Sequence, residues 1–457
     1  MFNIFSRFIF QKDSSSMQQE CRRDLIKHIL FEAQSSAIGN SLIETYKEEF
    51  RYIDENQILT EKEKVLAKKI INFNKDVENL LFEKGQKYKH EGCGRFGFTT
   101  LFCEHCARDC LINDFKNWTS GNPIVDRAIQ NAQINCPIPR RVIEWVPYSD
   151  LNDIKFKTRG GFASIYTATW KKGYILSFDN DQKCFKRYGT ENVILKRLEN
   201  PNADEEFLNE LYSSGFRVVA LGGISKDPKT EDYFLVLDQY ERDLSQFIRN
   251  KYTSLKWMNV YNLFWDISTA LYRIHLSNLV HRDLHPGNVL QKFDGSWRIS
   301  DLGFCNLARK EENHFYGNLP YCAPEVINNG EYTIKSDIYS IGMLMYEVVT
   351  GMPPFYDQRS EDLAINILCG IRPTIPKGIP ESYLRLMCNC WKSNPEDRPN
   401  ILHIVEYFYA KIKETMNNSN DVLVAIQNPP FNDGIAKSQL HEFKKFIIPG
   451  DATQGKN

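Results

Sequence analysis

The sequence predicts an α+β fold in which a strand-rich part is followed by a helix-rich part. Short β-rich runs occupy Ile154–Trp170, Val193–Leu198 and Phe234–Leu237, and long helical patterns follow from about Met258 onward. The longest apolar stretch, around Ile338–Met345, is interrupted by serine and glycine. We therefore expect it to form a buried helix rather than a membrane span.

The charge balance and the cysteines indicate which partners and which cellular compartment to expect. The chain has 457 residues, with 57 Lys and Arg against 58 Asp and Glu. This balance gives no reason to expect attraction to nucleic acid or to anionic lipid. The 12 cysteines are scattered, and no signal peptide precedes them. We expect a cytoplasmic protein with reduced thiols, no transmembrane segment and no nucleic-acid partner.

The N-terminal region, residues 1–84, is predicted to be helical. Helical patterns cover residues of about 17–50 and 60–84, and the second begins with the capping box Thr60-x-x-Glu63. Its apolar residues recur three and four positions apart, which places them on one face: Leu66, Ile70, Phe73, Val77 and Leu80. This face is predicted to pack on a neighbouring helix, and the helices together are candidates for binding a protein partner.

A small zinc-binding segment is predicted within residues 85–135. His90-x-x-Cys93 and Cys103-x-x-Cys106 have the spacing of a four-ligand zinc site. Such a closed site would be structural, because it leaves no ligand position for a substrate. The alternative is that the cysteines are small buried residues and that His90 is a surface side chain. Cys110 and His105 are further candidate ligands.

Three motifs in order carry the chemistry. They are His281-Arg-Asp-Leu-His-Pro-Gly-Asn288, Asp301-Leu-Gly303 and Ala323-Pro-Glu325, with Val193-Ile-Leu-Lys196 upstream. They resemble the catalytic loop, the metal-binding loop and the end of the activation segment of protein kinases. The resemblance implies that Asp283 orients a substrate hydroxyl and accepts its proton. It also implies that Asn288 and Asp301 bind Mg²⁺.

The same resemblance implies a nucleotide site. Lys196 would hold the α- and β-phosphates of ATP, and Glu210 would position Lys196, although Glu205 and Glu206 lie close by. The residues expected to surround ATP are Gly160, Gly161, Ala163, Ile165, Lys196, Asn288 and Asp301. The phosphate loop departs from the family pattern, because Thr158 and Ala163 stand where the outer glycines belong. A pseudokinase or scaffold is therefore the alternative function.

Several further segments resemble the tyrosine-kinase-like family that is expanded in fungi. They are Asn117-Trp-Thr-Ser-Gly-Asn122, Leu319-Pro-Tyr-Cys-Ala-Pro-Glu325, Ser336-Asp-Ile-Tyr-Ser-Ile-Gly342 and the long connection Tyr166–Asn192. The resemblance implies a bilobal kinase fold, with a β-rich N-lobe and a helical C-lobe. It also implies ATP and Mg²⁺ use, protein substrates and, by analogy, serine/threonine specificity in intracellular signalling.

The resemblance extends to structural residues and to domain limits. Arg398 and Glu325 match positions that pair in kinases, and Asp337 matches the aspartate that braces the catalytic loop. The expected domains are 1–84, a helical region; 85–135, the zinc segment with a following helix; 151–411, the kinase domain; and 412–457, a flexible tail.

The predicted activation segment contains no serine or threonine between Phe304 and Cys322. Its hydroxyls belong to Tyr316 and Tyr321, and Glu311 and Glu312 could present carboxylates to Arg282 or remain solvated. We therefore expect activity without phosphorylation of this segment, or dependence on Tyr316, with regulation through the N-terminal region.

Overall fold

The computed structural model describes most of the chain. The described residues are 23–36, 42–82, 85–135, 137–159, 164–198, 221–251, 254–276, 279–293, 295–300, 314–356, 358, 362–418, 423–424 and 439–442. They belong to two compact units, the first drawn from residues 1–216 and 220–239 and the second from 217–219 and 240–457. The first unit contains the N-terminal helices together with the strands that precede residue 240, so it combines the predicted N-terminal regions with the first part of the predicted kinase domain.

Five helices are described in the first unit: α1 (Arg23–Ser36), α2 (Leu42–Glu55), α3 (Glu61–Phe82), α4 (Glu104–Asp114) and α5 (Pro123–Asn135). The region predicted to be helical over about 17–50 therefore contains two separate helices, α1 and α2, among its described residues. The predicted capping box is confirmed at the start of α3. The backbone N–H of Thr60 donates to Glu63 Oε2 at 2.8 Å, and the Glu63 N–H donates to Thr60 Oγ1 at 3.3 Å.

The predicted apolar face of α3 is confirmed. Ile70 and Val77 are buried in a cluster with side chains of α1 and α2, and Leu66 packs partly buried against it. The same cluster includes Cys103 and Cys106. The segment predicted to bind zinc thus packs directly on the N-terminal helices.

The first unit contains a sheet with the strand order β3–β9–β10–β8–β5–β4. Its strands are β3 (Glu144–Trp145), β4 (Leu151–Arg159), β5 (Ser164–Trp170), β8 (Glu191–Arg197), β9 (Leu221–Lys226) and β10 (Tyr233–Asp238). Neighbours are antiparallel except β3 and β9, which are parallel. Helix α5 covers part of the sheet, where Ile129 contacts the cluster of Ile224 and Leu235. A separate short pair, β1 (Tyr88–Lys89) with β2 (Phe96–Gly97), precedes α4.

The long connection between β5 and β8 forms a hairpin of its own. Its strands are β6 (Ile175–Asp179) and β7 (Cys184–Arg187). Phe178 of the hairpin is buried in the cluster formed by the N-terminal helices. The Oδ1 atom of Asn180 accepts the backbone N–H of Cys103 at 2.8 Å. The insertion therefore ties the sheet to the N-terminal region.

The second unit is mainly helical. Its helices are α6 (Leu244–Lys251), α7 (Trp257–Leu276), α8 (Pro324–Asn329), α9 (Ile334–Thr350), α10 (Leu363–Leu368), α11 (Glu381–Cys390) and α12 (Ile401–Asn418), and its strands are β11 (Arg242–Asp243), β12 (Val289–Gln291), β13 (Trp297–Ile299), β14 (His314–Gly317) and β15 (Gln439–Glu442). Helix α9 lies in the core of this unit, because its residues from Ser336 to Thr350 are all buried. No helix among the described residues has the length and apolar character needed to cross a bilayer.

The C-terminal limit of the predicted kinase domain differs from the structure. Helix α12 continues to Asn418, beyond the predicted end at Lys411. It does so because Val405, Phe408 and Ile412 recur at helical spacing and are buried. Beyond α12, part of the predicted flexible tail is paired, since β15 forms a ladder with β14.

Candidate active site

A buried aspartate holds the loop that contains the first motif. Asp337, in the first turn of α9, accepts the backbone N–H of His281 at 2.9 Å and that of Arg282 at 3.0 Å. His275, from the last turn of α7, lies with its Nε2 2.8 Å from the same carboxylate. Arg282 has a positive φ of 72°, so these bonds fix a sharp turn just before Asp283. The structure thus places Asp337 in the predicted bracing position.

The ring of His281 supports the turn from inside. It is fully buried, with its Nε2 2.9 Å from the carbonyl oxygen of Ser300. Its Nδ1 accepts the backbone N–H of Asp283 at 3.3 Å. The proton of the neutral ring therefore lies on Nε2. One imidazole ties the backbone before Asp283 to the strand end that precedes Asp301.

Asp283 and Asn288 are brought together. The side-chain amide of Asn288 donates to the backbone carbonyl of Asp283 at 2.8 Å and to its Oδ2 at 3.2 Å. Both residues are buried. Because the amide nitrogen of Asn288 is committed to Asp283, the amide oxygen is the atom that Asn288 would offer to a cation. The pair thus combines an oriented carboxylate with an oxygen ligand.

The hairpin β12–β13 extends this arrangement toward the second motif. Val289 pairs with Ile299, and the backbone N–H of Ser300 donates to the carbonyl of Asn288 at 2.8 Å. Asp301 follows Ser300 in the chain but lies outside the described residues. The pairing of β12 with β13 therefore places Ser300, the residue before Asp301, next to Asn288.

His285 faces the carboxylate of Asp283. Its Nδ1 accepts the backbone N–H of Gly287 at 3.2 Å, which caps the short turn Pro286–Asn288. The proton of the neutral ring is therefore on Nε2, and Nε2 lies 3.5 Å from Asp283 Oδ2. An imidazole donor is thereby directed at the predicted catalytic base.

Beside His285 lies a buried pair made by Tyr321 and Glu347. The hydroxyl of Tyr321 donates to Glu347 Oε2, and the ring of Tyr321 lies 6.3 Å from that of His285. Burial raises the pKa of Glu347 to about 7, although the hydrogen bond from Tyr321 by itself lowers this pKa. The prediction that Tyr321 packs rather than being exposed agrees with its 5% exposure.

This pKa predicts a pH dependence of stability. Between the ordinary pKa of 4.5 and about 7, native Glu347 keeps a proton that the unfolded chain releases. Its contribution to the free energy of unfolding therefore falls as pH rises through that window. We expect the free energy of unfolding of Glu347→Gln to fall by about 3 kcal/mol less over this window than that of the unsubstituted protein. The measurement is denaturant unfolding at about pH 5 and about pH 8. Exposed Glu381→Gln should leave the decline as in the unsubstituted protein, and an equal decline in both variants would contradict the assignment.

A buried ion pair anchors the end of the third motif. Arg398 donates to Glu325 through two bonds, Nη1 to Oε1 at 2.6 Å and Nη2 to Oε2 at 2.8 Å. The side chain of Arg398 is 0% exposed and that of Glu325 is 13% exposed. Arg398 also donates to the carbonyls of Lys335 and Lys392, both at 2.8 Å. The predicted pairing is therefore present and links α8 to the region before α12.

Comparison with known proteins decides the family. A family model described as protein tyrosine and serine/threonine kinase matches residues 155–408, more than half of the 457 residues. The chain belongs to the protein tyrosine and serine/threonine kinase family. The predicted kinase domain is thus confirmed, and the sheet of the first unit and the helices of the second fit the kinase fold.

Two curated relatives illustrate the similarity. The kinase is 29% identical over 313 residues to "Probable serine/threonine-protein kinase roco7" of Dictyostelium discoideum, an alignment covering 63% of this chain and 11% of the relative. It is 26% identical over 303 residues to "Serine/threonine-protein kinase VIK" of Arabidopsis thaliana, covering 61% of this chain and 64% of the relative. The chain thus matches less than two thirds of the length of each relative.

In the first unit of the kinase, Lys196 lies on a central strand. In the ladder it is the partner of Ile165 on β5 and of Leu235 on β10. The structure thereby brings together the predicted phosphate-binding lysine and one predicted nucleotide contact, Ile165. The remaining predicted site residues lie outside the described part of the chain: Gly160, Gly161, Ala163, Glu210 and Asp301.

The kinase also contains a cluster of three thiols. The Sγ atoms of Cys93, Cys103 and Cys106 all lie within 4.8 Å of one another, and those of Cys93 and Cys103 are 3.5 Å apart. Cys103 caps the start of α4, where its Sγ accepts the backbone N–H of Cys106 at 3.4 Å. A backbone hydrogen bond from Arg95 lowers the pKa of Cys93 to about 7. Three of the four predicted zinc ligands thus converge.

The fourth predicted ligand, His90, points elsewhere. Its Nε2 lies 3.1 Å from Oε2 of buried Glu104. Its carbonyl accepts the backbone N–H of Gly94 at 2.7 Å, and Gly94 has a φ of 69°, which closes a tight turn around Cys93. The backbone of His90 thus helps to form the turn that carries Cys93, while the ring of His90 is hydrogen-bonded to Glu104. Of the spare candidates, His105 bonds the carbonyl of Phe96 at 2.9 Å.

Sequence reasoning missed two contributors to the active site. His275 was not singled out, although its place in the last turn of a helix just before the His281 motif is the signal that could have found it. Glu347 lies within the predicted buried helix, and only the structure reveals its bond to Tyr321. Both act through contacts between elements distant in sequence.

Proposed function

We propose that this chain is a bilobal, ATP-dependent protein kinase that transfers the γ-phosphoryl group to serine or threonine hydroxyls of protein substrates. The observation that carries the proposal is the buried pair of Asp283 and Asn288, in which the asparagine amide orients the carboxylate. The loop that bears them is fixed by bonds to Asp337. Phosphoryl transfer needs such fixed groups, because the protein mainly orients reactants and neutralises charge.

Each residue has a distinct task in this mechanism. Asp283 accepts the proton of the substrate hydroxyl as its oxygen approaches the γ-phosphorus. The amide oxygen of Asn288 and the carboxylate of Asp301 would hold Mg²⁺, which would offset the charge of the phosphates. Lys196 would bind the α- and β-phosphates, and Glu210 would position Lys196. Gly160, Gly161, Ala163 and Ile165 would enclose the nucleotide.

The test is transfer of labelled phosphate from ATP by the purified protein to a mixed protein substrate, followed by phosphoamino-acid analysis. Label on serine and threonine is expected, in line with the names of both relatives. Label confined to tyrosine would overturn the specificity. Absence of transfer with Mg²⁺ present would favour the alternative, a pseudokinase or scaffold, for which the altered outer glycine positions Thr158 and Ala163 are the argument.

The orientation of His285 leads to a matched pair of variants. The amide nitrogen of Gln can reach the place of Nε2, whereas the amide oxygen of Asn can replace only Nδ1 as the acceptor for Gly287. Because only the Gln variant keeps a donor facing Asp283, we expect kcat of His285→Asn to be about tenfold below that of His285→Gln. The KM for ATP should change little. Equal kcat values in the two variants would show that His285 only caps the turn.

We further propose that Cys93, Cys103 and Cys106 hold a structural Zn²⁺, with His90 as the fourth ligand. At a Zn–S distance of about 2.3 Å, thiolates of a tetrahedral site lie about 3.8 Å apart. The 3.5 Å separation of Cys93 and Cys103 fits this geometry. Binding through His90 requires its ring to exchange Glu104 for the metal.

We expect the purified protein to contain about one zinc per chain, because three preformed thiols bind Zn²⁺ tightly. Metal analysis after zinc-replete expression measures the content. Cys103→Ser should lose the metal, whereas Cys369→Ser, at an exposed cysteine, should keep it. A metal-free unsubstituted protein, or cobalt-substituted protein without thiolate charge-transfer bands, would rule the site out.

The cellular setting is part of the same proposal. We place the kinase in the cytoplasm, where its thiols would stay reduced. We also propose that α1, α2 and α3 bind a protein partner, because they form the N-terminal part of the first unit and pack on the β6–β7 hairpin through Phe178. Capture of a partner by the full chain, lost when the exposed face of these helices is substituted, would test this.

A further inference from the structure

Tyr332 lies in the short link between α8 and α9, and both ends of this link are fixed. On one side Gly330, with a φ of 71°, ends α8 by donating its backbone N–H to the carbonyl of Val326 at 2.9 Å. On the other side Thr333 caps α9, where its Oγ1 accepts the backbone N–H of Lys335 at 3.1 Å. The two caps therefore hold the backbone of Tyr332 in place.

The ring of Tyr332 lies against the side chain of Arg282. The guanidinium carbon of Arg282 is 5.4 Å from the centre of this ring, within the range of a cation–π interaction. Among the described residues, the buried Nε of Arg282 donates to no hydrogen-bond acceptor. A buried N–H without an acceptor is unfavourable. The negative face of the tyrosine ring offsets this loss, because it attracts both the N–H and the charge behind it.

Arg282 needs support because its backbone is strained. Its φ of 72° lies in the left-handed region, and a residue with a side chain stays there only when its surroundings hold it. Asp337 accepts the backbone N–H of Arg282 at 3.0 Å, and Tyr332 holds the side chain. Asp337 lies in the first turn of α9 and Tyr332 just before this helix. The start of one helix thus fixes the residue that precedes Asp283.

We propose that Tyr332 is a positioning residue for phosphoryl transfer, which holds Arg282 so that Asp283 faces the substrate hydroxyl. Tyr332 acts through Arg282 rather than on a reactant. The proposal rests on the proposed kinase function for its effect on catalysis, whereas the contact itself can be measured without activity. The ring holds Arg282 whether or not the activation segment carries a phosphate.

Nuclear magnetic resonance of the full chain tests the contact. In protein with isotope-labelled arginine, the Nε–H signal of Arg282 is assigned by its loss in Arg282→Lys. The ring current of the tyrosine should shift this signal upfield. The shift should persist in Tyr332→Phe, which keeps the ring, and disappear in Tyr332→Leu. An unshifted signal in the unsubstituted protein, or a shift that survives in Tyr332→Leu, would overturn the proposal.

Steady-state kinetics tests the role in catalysis. We expect kcat of Tyr332→Leu to fall about fivefold, as the loss of a partly buried cation–π contact implies. The KM for ATP should stay unchanged, and Tyr332→Phe should keep the kcat of the unsubstituted protein. All proteins are treated with phosphatase first, so that no phosphate can replace the ring. Equal kcat values in the Leu and Phe variants would show that the ring has no part in positioning.

The control removes a contact of the same kind from the first unit. Lys87 Nζ lies 4.9 Å from the centre of the Phe98 ring, and Phe98→Leu should leave kcat unchanged. A fall in kcat equal to that of Tyr332→Leu would mean that the loss of any such contact lowers activity, and the specific role of Tyr332 would be refuted.

A double substitution shows whether Tyr332 acts through Arg282. Arg282→Gln removes the cation, so adding Tyr332→Leu to it should lower kcat by less than about twofold further. A further fall as large as that of Tyr332→Leu alone would mean that the two residues act independently, against the proposal. Absence of all transfer by the unsubstituted protein would refute the kinase function and the catalytic role of Tyr332 with it, whereas the ring-current shift would still establish the contact.

Discussion

Asp283→Asn is expected to lower the rate of phosphoryl transfer at least about 100-fold, because a positioned general base contributes 10²–10⁴ to such a reaction. The substitution keeps the size of the side chain but removes its ability to take a proton. The bond from Asn288 to the backbone carbonyl of residue 283 should survive, since it does not involve the side chain. We therefore expect the loss in kcat rather than in the KM for ATP.

The measurement is steady-state transfer from ATP, with thermal unfolding recorded for each variant. Asp362→Asn makes the same chemical change at an exposed position and should leave the rate unaltered. Lys196→Met should also abolish most transfer, through loss of the phosphate contact rather than of the base. The catalytic assignment is falsified if Asp283→Asn retains near wild-type turnover with unchanged unfolding.

Glu325→Gln is expected to destabilise the second unit by about 3–5 kcal/mol. The glutamine has the shape of the glutamate but not its charge, so the guanidinium of Arg398 would remain buried without a counter-charge. The side chain of Arg398 is 0% exposed, so water cannot replace the lost partner. The bonds from Arg398 to backbone carbonyls lack the charge needed to offset this loss.

Denaturant unfolding measures this effect. Glu331→Gln, at an exposed glutamate a few residues further on, should change the free energy of unfolding by less than about 0.5 kcal/mol. If the two variants unfolded alike, the ion pair would contribute little beyond its backbone bonds. A lower unfolding midpoint for Glu325→Gln with normal kcat at low temperature would confirm a structural rather than a catalytic role.

Part of this architecture could be predicted from local sequence, since it depends on spacing. The capping box at Thr60, the apolar face of α3 and the order of the kinase motifs are all patterns within short windows. The roles of Asp337 and Arg398 were predictable for a different reason. The kinase resemblance supplied their partners, which lie 56 and 73 residues away in the chain.

Other features depend on contacts that no short window contains. His90 has the correct spacing for a zinc ligand, but its ring bonds a glutamate 14 residues later, and spacing says nothing about that competition. The hairpin β6–β7 packs on helices near the start of the described chain, and β14 pairs with a strand from the C-terminal region. Neither contact can be read from the local sequence, because each joins segments that are far apart in the chain.

The hairpin insertion has a practical consequence for how this protein can be dissected. A fragment beginning at the family domain, near residue 155, would remove α1 through α5 and with them the side chains that surround Phe178. The fragment would expose Phe178 and Phe185, which contact each other with ring centroids 5.0 Å apart. Contiguous exposed apolar surface promotes aggregation. A soluble fragment of this kinase should therefore begin upstream of α1, so that the insertion retains its cover.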